Sequence, residues 1–156
     1  MASALFTLVG IALLALSPAP AEQHSVSLAM ANALADSALA SCRAMNRDAV
    51  VAVVDRGGNL VALQRGDTVG PHNTRAAERK AFTALSTKAS TSVLAERAAS
   101  DPGSRNLVSV PELLLLGGGL PIVHEGEVIG GIGVAGSGGS ASDEHCASAA
   151  LATLRP

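Results

Sequence analysis

The chain has 156 residues, a formal net charge of −2, 15% charged and 48% hydrophobic residues. That balance excludes a disordered chain and lacks the basic footprint of a nucleic-acid binder. Phe6 and Phe82 are the only aromatic residues, with no Trp or Tyr, which removes base-stacking platforms and tyrosinate as a metal ligand.

Ala4 to Leu16 is an apolar run interrupted only by Thr7 and Gly10. Ser17-Pro18 follows, then Ala19-Pro20-Ala21, a small-residue cleavage pattern. The run is short for a bilayer span, so residues 1–21 are expected to be a secretory signal peptide. The alternative is an apolar first helix of the domain. Cleavage leaves 135 residues, enough for one domain that folds without a disulfide. In an oxidising compartment Cys42 and Cys146 can pair; a pair of buried free thiols is the competing reading.

Ser25 to Arg47 has helical periodicity, with Met30, Leu34 and Met45 on one side and Asn32, Asp36 and Arg43 on the other. Ala49 to Val54 is a β-branched run, Asp55-Arg56-Gly57-Gly58-Asn59 has turn chemistry, and Leu60 to Gln64 completes a hairpin. Gly70-Pro71 opens a helix that starts at Pro71 or Asn73 and runs through Ala89. A shorter helix, Thr91 to Ala99, is expected with Thr91 or Ser92 as its cap. Ser100 to Pro111 is broken by proline and glycine into a loop. Leu120 to His124 and Val128 to Val134 read as strands around Glu125-Gly126-Glu127. A last helix runs from Ser140 to Leu154, with Ser140 and Asp143 spaced like a capping box. Hairpins joined by segregated helices give an α+β domain with an antiparallel sheet.

Several motifs fail on context. Gly131 to Gly136 matches G-x-G-x-x-G, but the chain ends where a dinucleotide site needs its acidic residue. Those glycines fit a tightly packed strand better. Gly117-Gly118-Gly119 lacks the G-x-S-x-G partner of an esterase. The four histidines, His24, His72, His124 and His145, show no zinc-hydrolase spacing. His72 is the best placed, because a helix N-terminus favours the neutral ring, whose lone pair can bind metal. The competing reading is a polar residue that merely begins a helix. His24 is expected to be mobile, His124 solvated, and His145 a weaker ligand candidate. Arg75, Arg79 and Lys80 form a cationic cluster on the same helix, which is otherwise a solvated face.

The chain resembles the GlcG/HbpS family. The resemblance is carried by Val53-Val54-Asp55-Arg56-Gly57-Gly58-Asn59-Leu60, Gly70-Pro71, Glu78-Arg79-Lys80-Ala81-Phe82-Thr83-Ala84, Gly118-Gly119-Leu120-Pro121-Ile122, Gly130-Gly131-Ile132-Gly133-Val134 and Asp143-Glu144, in order across residues 26–154. It implies a profilin-like fold, homo-oligomers and, for secreted members, haem as cofactor. It also associates acids on the Gly-Pro helix with iron. Glu78 keeps one such acid, while Arg75 stands where a second is needed. With no Tyr, the axial ligand of a haem would be His, Met or Cys, or absent, and His72 leads. Arg75, Arg79 and Lys80 would meet the propionates, and Pro111 to Leu116 would form an apolar wall. The leading expectation is a secreted or periplasmic haem-binding protein for uptake, buffering or sensing. The alternatives are an enzyme acting on haem or a small organic acid, and a non-catalytic oligomeric interaction module.

Overall fold

The computed structural model describes residues 23–154; the expected signal peptide lies outside them. Helix α1, Leu28–Ala44, starts at Ser27, whose hydroxyl accepts from the Met30 amide. Strands β1, Val50–Asp55, and β2, Leu60–Arg65, form the first hairpin. Helices α2, His72–Thr87, and α3, Thr91–Ser100, follow, then a 3₁₀ turn at Arg105–Ser109. Strands β3, Gly119–His124, and β4, Glu127–Ala135, form the second hairpin, and α4 spans Ser140–Leu151. Among the described residues no helix is long and apolar enough to cross a membrane.

The four strands are antiparallel in the order β2-β1-β4-β3. Two hairpins joined edge to edge place β1 and β4, the most apolar strands, at the centre. The second hairpin turns through Glu125 and Gly126, both with positive φ, which suits a two-residue loop between twisted strands. Helix and sheet together make the α+β domain that the element order implies.

Strand periodicity divides the core between two faces. Val51, Val53, Ile132 and Val134 pack with Leu34, Ala38 and Ala147 of α1 and α4. Cys42 and Cys146 form a disulfide between those two helices, 104 residues apart in sequence. Val50 and Ala52 point the other way and cluster with Ala77 of α2. On that face β4 offers Gly131 and Gly133. A Cβ at either would collide with a carbonyl of α2, that of Ala81 or Ala77. Gly119 of β3 meets the Lys80 carbonyl in the same way. The G-x-G pattern is therefore the seat of a helix backbone.

Several expected boundaries shift. α1 occupies only the centre of the 25–47 segment, α2 ends at Thr87, and α4 ends at Leu151. Ser90, not Thr91 or Ser92, caps α3, accepting from the Val93 amide. The Ser140–Asp143 pair is no capping box. Gly139 takes the cap position, and the Asp143 carboxylate accepts instead from the amide and hydroxyl of Ser137.

Candidate functional site

Helix α2 carries the site, and three kinds of contact fix it. The glycine seat brings its backbone onto the sheet. Lys80, 1% exposed, points inward, where its Nζ donates to the Val134 carbonyl at 2.9 Å and to Asp143 Oδ2 at 2.8 Å. This buried ion pair ties α2 to the start of α4. The third contact is a pair of buried threonines. Thr83 Oγ1 donates to the Arg79 carbonyl and accepts from the Leu114 amide. Thr91 Oγ1 donates to the Leu116 carbonyl and accepts from the Gly119 amide. The segment between the 3₁₀ turn and β3 is thus strung along α2 and α3.

Those bonds assemble a hollow of about 420 Å³ lined by His72, Arg75, Arg79, Pro111, Leu114 and Leu116. Here the leading histidine, two of the three expected cations and the expected apolar wall come together. His72 is the first residue of α2, and its ring folds back over Gly70, where a Cβ would lie 3.3 Å from Cε1. Arg75 is exposed. Arg79 donates from Nη2 to the Leu113 carbonyl, while its Nε is buried without a hydrogen-bond partner among the described residues.

Lys80 corrects the expected cationic cluster. It lies one residue from Arg79, 100° round the helix, and faces the core. Its charge is already engaged by Asp143 and is not on offer to a ligand. Glu78 also falls outside this hollow. It lines an adjoining one of about 180 Å³ with Arg75, Arg79, Phe82 and Glu112, so it does not converge with His72 on one point. Glu112 had no signal in the sequence, since it comes from the irregular segment. Among the described residues no group of three His, Cys, Asp or Glu side chains is arranged to hold a metal ion.

Phe82 separates that hollow from a third, of about 450 Å³, which also reaches Arg56, Lys88 and Glu127. Phe82 rests on Gly58, whose φ is +81° and whose missing side chain makes room for the ring. The β1–β2 turn that presents Gly58 is held by Asp55. Burial pushes the Asp55 carboxyl up, but hydrogen bonds from Asn59 and Gly57 outweigh this and hold it below the usual carboxylate range. Arg56 bonds Glu127 at 2.8 Å and, by hydrogen bond and charge, holds its carboxyl low as well.

The other histidines lie elsewhere. His145 lines a groove between α3 and α4 with Glu96 and Glu144. His24, expected to be mobile, packs edge-on against His124, with 5.8 Å between ring centroids.

Residues 26–152 match the family described as haem degrading protein HbpS-like. The chain belongs to the HbpS-like family. Protein GlcG of Escherichia coli K12 is 35% identical over 109 residues, covering 70% of this chain and 80% of GlcG. Among solved structures, a double mutant of Streptomyces reticuli HbpS superposes with a TM-score of 0.82 at 36% identity, over 96% of this chain and 99% of that one. A PduOC:heme complex superposes with a TM-score of 0.75 at 25% identity, over 83% and 95%. Of the expected site residues, His72, Arg75 and Arg79 line the α2 groove of this HbpS-like chain, whereas Glu78 and Lys80 lie outside it.

Proposed function

We propose that this HbpS-like chain is an exported haem-binding protein that seats the tetrapyrrole on the α2 face. The observation that carries this reading is the single hollow formed by His72, Arg75, Arg79, Pro111, Leu114 and Leu116. Its chemistry fits an amphipathic ligand with acidic arms. The leucines and Pro111 offer apolar contact to a macrocycle. Arg75, exposed at the hollow, offers charge-assisted hydrogen bonds to propionates, and the Arg79 guanidinium adds a second positive charge in the lining. His72 offers a ring nitrogen at the helix start for axial ligation. Bound haem would supply an iron centre with its own absorption and ligand affinity. The haem bound in the PduOC relative supports the choice of ligand.

Haem titration followed at the Soret band tests the reading. His72→Ala should shift the band and weaken binding by about tenfold, or about 1.4 kcal/mol. His145→Ala should do little. An unchanged His72→Ala titration would move the ligand elsewhere, and no binding by the parent chain would discard the function. The family's description favours a second reading, in which haem is degraded. Decay of the Soret band with reductant and oxygen would distinguish it from binding alone.

Export to the periplasm or medium is supported by the apolar run before Ala19-Pro20-Ala21 and by a disulfide suited to an oxidising compartment. Self-association belongs to the same proposal. Leu116, which lines the hollow, and Val108 of the 3₁₀ turn are 47% and 66% exposed, and a second copy covering Leu116 would also close the open groove. Light scattering at micromolar concentration should find a multimer; a monomer would remove that part.

A further inference from the structure

We propose that the hollow between the two hairpin turns and the end of α2 binds a small aromatic carboxylate. It measures about 450 Å³, and its lining includes Arg56, Phe82, Leu85, Lys88, Glu127 and Val128. It shares no lining residue with the His72 groove. Its walls divide by chemistry. Phe82, Leu85 and Val128 are half-buried and apolar. The Phe82 ring is seated over Gly58, where a Cβ would stand 2.7 Å from Cε2. Arg56 and Lys88 bring two positive charges against the single carboxylate of Glu127. A flat ring can stack on Phe82 while its carboxylate meets the cations.

Three observations favour an anion here. Among the described residues the Arg56 side chain commits only Nη1, to Glu127 at 2.8 Å, so the rest of its fork is open to a carboxylate. Arg56, with smaller contributions from His24 and Lys88, holds the Glu127 carboxyl below its usual range, so the field is positive despite that acid. Lys88 is the third. It ends α2 in the left-handed conformation, φ 54° and ψ 31°, a position that suits glycine. The chain accepts that strain and sets an exposed ammonium at the hollow, where it joins no ion pair among the described residues.

The test titrates the disulfide-bonded protein with benzoate and follows phenylalanine ring signals by NMR, since Phe82 is the only phenylalanine among the described residues. Benzoate should shift the Phe82 ring and saturate with a Kd of about 1 mM. Benzamide, which lacks the charge, and acetate, which lacks the ring, should each bind at least about tenfold more weakly. Arg56→Gln and Lys88→Gly should each weaken benzoate severalfold, while Lys88→Gly raises the unfolding midpoint by relieving the left-handed strain. Glu127→Gln should tighten it by freeing Arg56. His72→Ala should leave benzoate binding unchanged, which separates this site from the haem groove. No saturable binding, or equal affinity for acetate or benzamide, overturns the site. So does full benzoate affinity in both Arg56→Gln and Lys88→Gly, the result expected if Lys88 serves only the end of its helix. A loss in His72→Ala assigns the acid to the other groove and overturns it too.

Discussion

On one face of the sheet, α1 and α4 pack through side chains; on the other, α2 packs through backbone. The first face interlocks Leu34, Ala38 and Ala147 with Val51, Val53, Ile132 and Val134, and a disulfide joins its two helices. The second sets the carbonyls of Ala77, Lys80 and Ala81 against Gly133, Gly119 and Gly131. Apolar side-chain packing is forgiving of direction. Backbone packing secured by the Lys80–Asp143 pair and by Thr83 and Thr91 is directional. The groove residues stand on the directional face, where position matters most.

The largest effect expected from breaking this contrast is at Lys80. Lys80→Ala leaves Asp143 buried and unpaired, which should cost about 3–5 kcal/mol in urea unfolding. Replacing both partners, as Lys80→Met with Asp143→Leu, should recover much of that loss if the pair acts through mutual satisfaction. A double variant as unstable as the single one would assign the cost to packing. On the opposite face, replacing Cys42 and Cys146 with alanine should cost about 2–4 kcal/mol, because the closed loop is long. Haem affinity in that variant should match the parent, since neither cysteine lines the groove. A matching loss of affinity would end the division of labour between the faces. Thr83→Val should have the smallest effect on stability, about 1–2 kcal/mol, by stranding the Leu114 amide. Its haem affinity should fall severalfold, because Leu114 is part of the wall, and an unchanged affinity would show the wall to be held by other contacts.

Element types and order were legible because periodicity reports local geometry. The β-branched run of β1, the turn chemistry at Asp55 to Asn59 and the glycine-rich β4 all became the elements expected of them. The dinucleotide-like glycines are a packing feature, as their context in the sequence implies. The sequence leaves the pairing of Cys42 with Cys146 open, because it does not say which helix faces lie together. The burial of Lys80 is hidden for the same reason. Beside Arg75 and Arg79 it looks like a third surface cation, and its partner Asp143 lies 63 residues away on another helix. Asp143 in turn resembled a capping residue. Nothing in the sequence points Thr83 and Thr91 to the bonds they make, since their partners lie in a segment without periodicity. For the groove, the order of charges along α2 put His72, Arg75 and Arg79 within reach of one another, but the adjoining placement of Glu112 depends on an irregular path that no pattern encodes.

The glycine seat also separates two inheritances. The sheet meets α2 through its backbone, through small residues on its inner side such as Ala77 and Ala81, and through Lys80, which donates to the Val134 carbonyl. Positions 72, 75, 78 and 79 are invisible to it. Substitution at 72, 75 or 79 changes the lining of the groove without touching the glycine seat, while a single methyl group added to Gly131 or Gly133 would collide with α2 backbone and displace the helix. The lining of the groove is thus free to vary in sequence, provided that the centre of the sheet stays bare.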